Sequence, residues 1–448
     1  MYSQRFRRSR TIIAVLLAAS LLGAACGANE STESIGTTTT SDAAATTNAP
    51  AAASETTSQS PPTTAVVVED TVPGSEGDRQ AALSTAINTA LLDWQAENGA
   101  PAVSISVRVP GFEPINIANG LADLTESETV TPESYFRIGS ITKSMTATLI
   151  LQLADEGLLD LDEPVQTYVP GWLDGYQYAN EITIRQLMNH TNGLLEYAFD
   201  PGFYAVTADR LDTAYEPEEL VEWLAGTEPL FAPGEQYSYE TGGFFSLGLV
   251  IENLTGNNAA AEMRSRIWEP AGASEIYLPV AEFPPTNVVN GYGRELLYLA
   301  GTALIGNPDT EGLMINDEPV IDFANIPQAA AQSVGWTGGG AEAQLSEVSA
   351  IFKAMFDGTL LNESQIAEMT APTLDVTYGL GISDDEIDGT TVYSHGGGVP
   401  GFRSQAGYLP DHDISYAVSA SLIPLPEGAG VGDLQATLVQ IFRDFTAG

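Results

Sequence analysis

The sequence predicts an α+β fold: an antiparallel sheet flanked by N- and C-terminal helices, with an all-helical region inserted between them. Strand-like alternation near both ends, helical periodicity at both extremes and a long apolar helical run in the middle predict it. Taken in order, Asp78 is placed to cap a first helix carrying Leu83, Ile87, Leu91 and Trp94 on one face. Val103, Ile105, Val107 and Val109 then alternate with Ser104, Ser106 and Arg108, the pattern of a half-buried strand. Residues 144–154 are almost uncharged and apolar on every side, so their helix is expected to be buried all round. Ile414, Tyr416, Val418, Ala420 and Leu422 alternate as another strand, and Leu434, Leu438, Ile441 and Phe445 share a face of a last helix. No period of roughly 20–50 residues repeats, which excludes a solenoid or propeller.

With 44% hydrophobic residues the 448-residue chain is not disordered throughout. Its charge is the unusual quantity: 16 Lys+Arg against 59 Asp+Glu give −43. Nucleic acid is excluded as a partner, because binding phosphate needs a basic face, and the acidic excess keeps a protein soluble at high salt. Cys26 is the only cysteine, so no disulfide forms within the chain. Arg5, Arg7, Arg8 and Arg10 precede an uncharged stretch from Thr11 to Ala25. That run is shorter than the roughly 20 residues of a membrane span and suits a signal peptide over residues 1–25. Leu-Gly-Ala-Ala-Cys at 22–26 resembles a bacterial lipobox, with Gly23 as a departure, and marks Cys26 for lipidation. The alternative is ordinary cleavage near Ala25 and secretion. Residues 26–78 read as a lipidation site followed by a disordered Ser/Thr/Ala/Pro linker. The folded unit is then 79–448, a monomer held by a lipid anchor at the outer face of a membrane.

Chemistry concentrates at the start of the central helix. Lys143 stands three residues after Ser140, so both side chains share one face of its first turn. No acid stands within a helical turn of Lys143, and a buried ammonium without a partner tends to lose its proton. The other lysine, Lys353, has Asp357 four residues on and reads as a solvated face. A serine hydroxyl beside a desolvated lysine is one arrangement that activates a nucleophile; a helix-capping serine beside a snorkelling lysine is the structural alternative.

Phe136-Arg-Ile-Gly-Ser140-Ile-Thr-Lys143, with Gly-Leu-Leu-Asp-Leu-Asp-Glu-Pro at 157–164, resembles the serine β-lactamase/penicillin-binding protein superfamily. The match is closest to its branch of class C β-lactamases, D-alanyl-D-alanine carboxypeptidases and related esterases. His190-Thr191-Asn192-Gly193-Leu194 is similar to that branch's His-Thr-Ser-Gly-Leu segment, Tyr239-Glu240-Thr241 to its Tyr-x-Asn motif, and His395-Gly396-Gly397 to its Lys/His-x-Gly motif. The resemblance spans roughly 90–445. It implies a β-lactamase/transpeptidase-like fold and a serine hydrolase that forms an acyl-enzyme on Ser140. Lys143 and Tyr239 would share general-base duty, with His395 as the third-motif residue. The backbone N–H groups of Ser140 and Gly398 would form the oxyanion hole, and Thr241, Gly396, Gly397 and Arg403 would line the substrate. His190 is expected to hydrogen-bond structurally rather than to react.

Two departures bear on the substrate. Thr241 stands where the branch has an Asn that holds the substrate amide, and Gly396 lacks a hydroxyl that many members use for a substrate carboxylate. Arg403 is the one cation near the third motif, while Ser383–Gly389 is acidic. That acidic run matches a calcium loop only faintly and reads as a hairpin tip turning at Asp388-Gly389. A small or peptide acyl donor is implied, a neutral ester above a free carboxylate. A D-alanyl-D-alanine carboxypeptidase is the alternative, and a catalytically degenerate binding module the second. No cofactor or metal is implied. Loops 195–230 and 295–335 are expected to shape the pocket.

Overall fold

A computed structural model describes residues 75–447, except 198–199, 208–209, 287, 294–312, 326, 328 and 424–430. The expected signal peptide, Cys26, the linker and much of the 295–335 loop lie outside the described residues. No helix among the described residues is long and apolar enough to cross a membrane.

Helix α1 (Glu76–Asn98) buries Leu83, Ile87, Leu91 and Trp94, as its periodicity requires. Its cap is Ser75 rather than Asp78. The Ser75 hydroxyl accepts from Asp78 N–H at 3.2 Å, and Ser75 N–H donates to Asp78 Oδ2 at 3.0 Å. Asp78 is thus the third residue of a capping box, and the helix begins at Glu76 rather than after Asp78. Gly99 ends the helix in the left-handed conformation, with φ 69°.

The main sheet has seven strands: β1 (Ala102–Arg108), β2 (Ile115–Asp123), β3 (Glu128–Thr129), β4 (Ser383–Ile387), β5 (Thr390–Val399), β6 (Phe402–Leu409) and β7 (Ile414–Ala420). Their order is β4-β5-β6-β7-β1-β2-β3, with every neighbour antiparallel. The ends of the fold therefore meet at the centre of the sheet, where Ile105 pairs with Val418 on one side and Ile117 on the other. The β4–β5 turn is at Asp388 (φ 49°) and Gly389 (φ 78°), the left-handed pair a tight hairpin needs.

Between the strand groups run the site helices: α2 (Ile141–Asp155), α3 (Gly242–Thr255), α4 (Ala329–Gly339), which kinks at Trp336, and α5 (Leu345–Phe356). The last helix, α6 (Val431–Ala447), follows the sheet. Val103, Ile105 and Val107 face α1 and α6 in one apolar cluster. Phe442, not singled out by the periodicity, is fully buried there, while Ile441 and Phe445 are only partly covered.

The expectation of a half-buried β1 fails on its polar face: Ser104 and Ser106 are buried as well. Helix α5 covers that face, and Ser106 Oγ meets Ser349 Oγ at 2.8 Å while Arg108 Nε donates to the same oxygen at 3.2 Å. Short hydroxyls bonded to one another mimic a solvent face in sequence while letting a helix pack closely. Helix α2 is buried over every residue from Ile141 to Leu151, as its lack of a polar face dictates.

Candidate active site

Ser140 is the N-cap residue of α2, and its side chain makes no capping hydrogen bond. Its hydroxyl is therefore not committed to the helix end, which removes the capping alternative. Lys143 Nζ lies 3.2 Å from Ser140 Oγ. Lys143 has no exposed surface, so it does not snorkel to solvent. Nor is it without partners: Nζ donates to the Gly338 carbonyl at 2.6 Å and sits 4.9 Å from the Tyr239 ring centre and 5.5 Å from that of Phe244. A Cβ on Gly338 would meet Thr241 Cγ2 at 2.9 Å, so a glycine brings that carbonyl to the lysine.

The third motif is fitted against the Ser140 turn by backbone alone. A Cβ on Gly397 would lie 1.9 Å from Ile138 O, and one on Gly139 (φ 57°) would lie 2.8 Å from Gly398 N. Gly398, one of the expected oxyanion donors, therefore adjoins the residue before Ser140. Gly398 pairs with Arg403 across β5–β6, and the Arg403 charge reaches His395. Gly396 accepts from the His395 ring through its carbonyl, Nδ1 to O 2.6 Å.

The Tyr239 segment is clamped by His190. Ser238 N–H donates to His190 O at 2.9 Å, Glu240 N–H donates to His190 Nδ1 at 3.4 Å, and the His190 and Tyr239 ring centres are 4.3 Å apart. His190 is fully buried, in the left-handed region at φ 59°. Burial, helped by the Lys143 charge, lowers its proton affinity well below the ordinary histidine value. The same two causes bring His395 down to about 3, and both rings are neutral at working pH. Ser140, Lys143, Tyr239 and His395 are thus grouped, Tyr239 and His395 having ring centres 6.3 Å apart.

Three participants carried no clear signal in the sequence. Tyr378 places its hydroxyl 3.2 Å from His190 Nε2 and 2.9 Å from His395 Nε2. Glu196 accepts from Thr241 Oγ1 at 2.9 Å, so the second motif ends on a hydroxyl–carboxylate pair. Glu240 is fully buried and accepts from Gly243 N–H at 2.6 Å and from Asn192 Nδ2 at 2.9 Å. Asn192, which stands in the usual Ser place of its motif, therefore holds the carboxylate next to Tyr239. Among the described residues no group of three or more His, Cys, Asp or Glu is placed to hold a metal ion.

An antiparallel sheet backed by two terminal helices, with a serine and a buried lysine opening a central helix, defines the β-lactamase/transpeptidase fold. The chain belongs to the Beta-lactamase family, whose model matches residues 87–439. It is 25% identical over 303 residues to penicillin-binding protein 4* of Bacillus subtilis (strain 168), covering 65% of this chain and 62% of that protein. It is 26% identical over 342 residues to a D-aminopeptidase of Brucella anthropi, covering 75% of this chain and 58% of that one. The chain thus spans about six-tenths of the length of these two relatives. Among solved structures, a D-stereospecific amidohydrolase from Streptomyces sp. matches with a TM-score of 0.65 and 28% identity, over 80% of this chain and 98% of that one. The D-amino acid amidase of Ochrobactrum anthropi SV3, at 23% identity over 81% and 99% of the two chains, shares the fold with a TM-score of 0.68.

Burial raises the Glu240 carboxyl from the ordinary 4.5 to about 7, against the opposing pull of Gly243 N–H, Asn192 and the Lys143 charge. Because the folded state holds this proton more tightly than the unfolded chain, the resulting stability is full below about pH 4.5 and is lost as pH rises through about 7. Thermal melts of wild type and Glu240→Gln from pH 4.5 to 8.5 check this. The wild type should lose melting temperature relative to the variant across that window; parallel curves would show that Glu240 ionises normally.

Proposed function

We propose that the protein is a serine hydrolase that cleaves an ester or amide through an acyl-enzyme on Ser140. The observation that carries this is the 3.2 Å approach of Lys143 Nζ to a Ser140 hydroxyl that is not used as a helix cap, at a lysine with no exposed surface. Ser140 Oγ attacks the acyl carbon, and its proton passes through Lys143 and Tyr239 to the leaving amine or alcohol. The backbone N–H groups of Ser140 and Gly398 receive the oxyanion, where one donor is typically worth about 3 kcal/mol. Water, deprotonated by the same pair, then attacks the acyl-enzyme and frees Ser140.

The Thr241–Glu196 pair bears on the substrate. A carboxylate beside the second motif disfavours a substrate carboxylate and favours a neutral or ammonium-bearing acyl group. The similarity to a D-aminopeptidase and a D-stereospecific amidohydrolase supports amino-acid amides, alongside neutral esters, over the D-alanyl-D-alanine carboxypeptidase reading. For the location, the sequence supports a monomeric unit tethered upstream of Ser75 and anchored through lipidated Cys26 at the outer face of a membrane, with secretion as the alternative.

Ser140→Ala should lose hydrolysis and labelling by a fluorophosphonate or fluorescent penicillin, by about a millionfold where chemistry limits the rate, with the melting temperature retained. A variant that labels like wild type would remove Ser140 as nucleophile and leave the degenerate binding module. Lys143→Arg should fail as badly as Lys143→Ala, because a guanidinium stays protonated and cannot relay; an active Arg variant would reduce the lysine to a positive charge. For the substrate, kcat/KM measured on an amino-acid amide, a short-chain ester and a D-Ala-D-Ala peptide should be lowest for the peptide. Glu196→Gln should narrow that gap, and a wild type that prefers the free carboxylate would restore the carboxypeptidase.

A further inference from the structure

Two family-marking histidines from distant parts of the chain are joined by one hydroxyl. His190 lies in the helical region and His395 on β5, and Tyr378 stands between them, bonded to the Nε2 atom of each. All three side chains are buried. A tyrosine hydroxyl has a single hydrogen to give, so it can donate to one ring and must accept from the other.

The backbone decides the direction. Glu240 N–H donates to His190 Nδ1 at 3.4 Å, which requires that nitrogen bare and the ring proton on Nε2. Glu240 Oε1, 3.5 Å from the same nitrogen, belongs to a carboxyl that burial pushes toward its neutral form and so does not call for a proton there. His190 Nε2–H then donates to Tyr378, and Tyr378 O–H donates to His395 Nε2. His395 consequently carries its proton on Nδ1, where the Gly396 carbonyl accepts it at 2.6 Å. The result is one unidirectional chain: Glu240 N–H, His190, Tyr378, His395, Gly396 C=O. Its first member follows Tyr239 in sequence, and its last lies two residues before Gly398. The two walls of the site, one carrying the base and the other the oxyanion strand, are linked through a single phenol.

We propose that Tyr378 is a positioning residue that fixes the tautomers of His190 and His395 and thereby holds the Tyr239 segment and the Gly396–Gly398 strand at their working separation. It acts through the two rings and does not touch the substrate, and its catalytic consequence rests on the serine hydrolase reading. The competing role is packing: the Tyr378 ring also lies 5.9 Å from that of Tyr237 and 6.1 Å from that of Tyr239. Tyr378→Phe keeps the ring and removes only the hydroxyl, which separates the two roles.

The test uses the full chain labelled with 15N-histidine, in which ring correlations distinguish protonated from bare nitrogens. The chain has three histidines, and the third, His412, is assigned by His412→Gln. Wild type should show His190 protonated on Nε2 and His395 on Nδ1. Tyr378→Phe should disturb that pattern and slow fluorophosphonate labelling of Ser140 by about tenfold or more, with little change in its concentration dependence. A wild-type spectrum with the proton on His190 Nδ1 overturns the chain even if Tyr378→Phe fails to fold. Labelling of Tyr378→Phe within twofold of wild type, with both tautomers retained, reduces Tyr378 to packing. A wild type inert to every probe overturns the hydrolase reading and the catalytic role with it, while the ring spectra still report on the hydrogen-bond chain by itself.

Discussion

Taking an ammonium out of water costs several kcal/mol even after the protein relaxes around it, and Lys143 has no exposed surface. A single hydrogen bond involving a charged group returns only about 1.5–3 kcal/mol, so the Gly338 carbonyl cannot offset that cost unaided. The faces of Tyr239 and Phe244 and the Ser140 hydroxyl complete the surroundings. These groups converge from three stretches of chain, the start of α2, the 239–244 stretch and the end of α4, each held in place by its own packing. Gly338 must lack a side chain to clear Thr241, Phe244 opens α3, and Tyr239 is pressed into place by His190. Burial first, and the lysine's charge second, keep both neighbouring histidines from protonating, which leaves their rings available as neutral donors and acceptors.

How far the sequence reached follows from what kind of partner each residue has. Helix α2 was legible because it has no polar face, and the Ser140–Lys143 pair because their spacing alone puts them on one side of a turn. The hairpin at Asp388-Gly389 was legible because left-handed conformations restrict residue choice. The failures share a cause. The Lys143 partner is a backbone carbonyl 195 residues away, and a carbonyl has no residue-type signature. The Tyr378 hydroxyl stands in a stretch without periodicity, where a tyrosine reads as another aromatic in a core. Glu196 differs from the chain's many acids only by where its segment is folded, against Thr241. The buried face of β1 misled because serines bonded to another serine, as Ser106 to Ser349, or to a carbonyl, as Ser104 to Ile117, look like serines in water.

The acidic excess and the site chemistry are separate matters. Arginine pairs such as Arg185–Asp162 and Arg210–Glu219 sit on partly exposed surface, where each contributes little. Inside, the carboxyl that matters is Glu240, whose hydrogen-bond donors are a backbone N–H and an amide, with the Lys143 charge acting on it without a direct bond. Its environment holds it near the border between charged and neutral, and it adjoins the residue expected to move protons. Bulk charge sets which molecules approach; the local dipoles set what the buried groups can do.

The central pairing of β1 with β7 has a consequence for synthesis. Val103 meets Ala420, so the middle of the sheet joins residues more than 300 positions apart. Such a contact closes a very long loop, which places the fold among topologies that assemble slowly. The strand that carries Gly398 reaches β1 only through β6 and β7, made after it. A chain emerging from the ribosome therefore holds Ser140 and Lys143 for hundreds of residues without the wall that faces them. The site stays incomplete until the final strands arrive, a form of timing written into strand order.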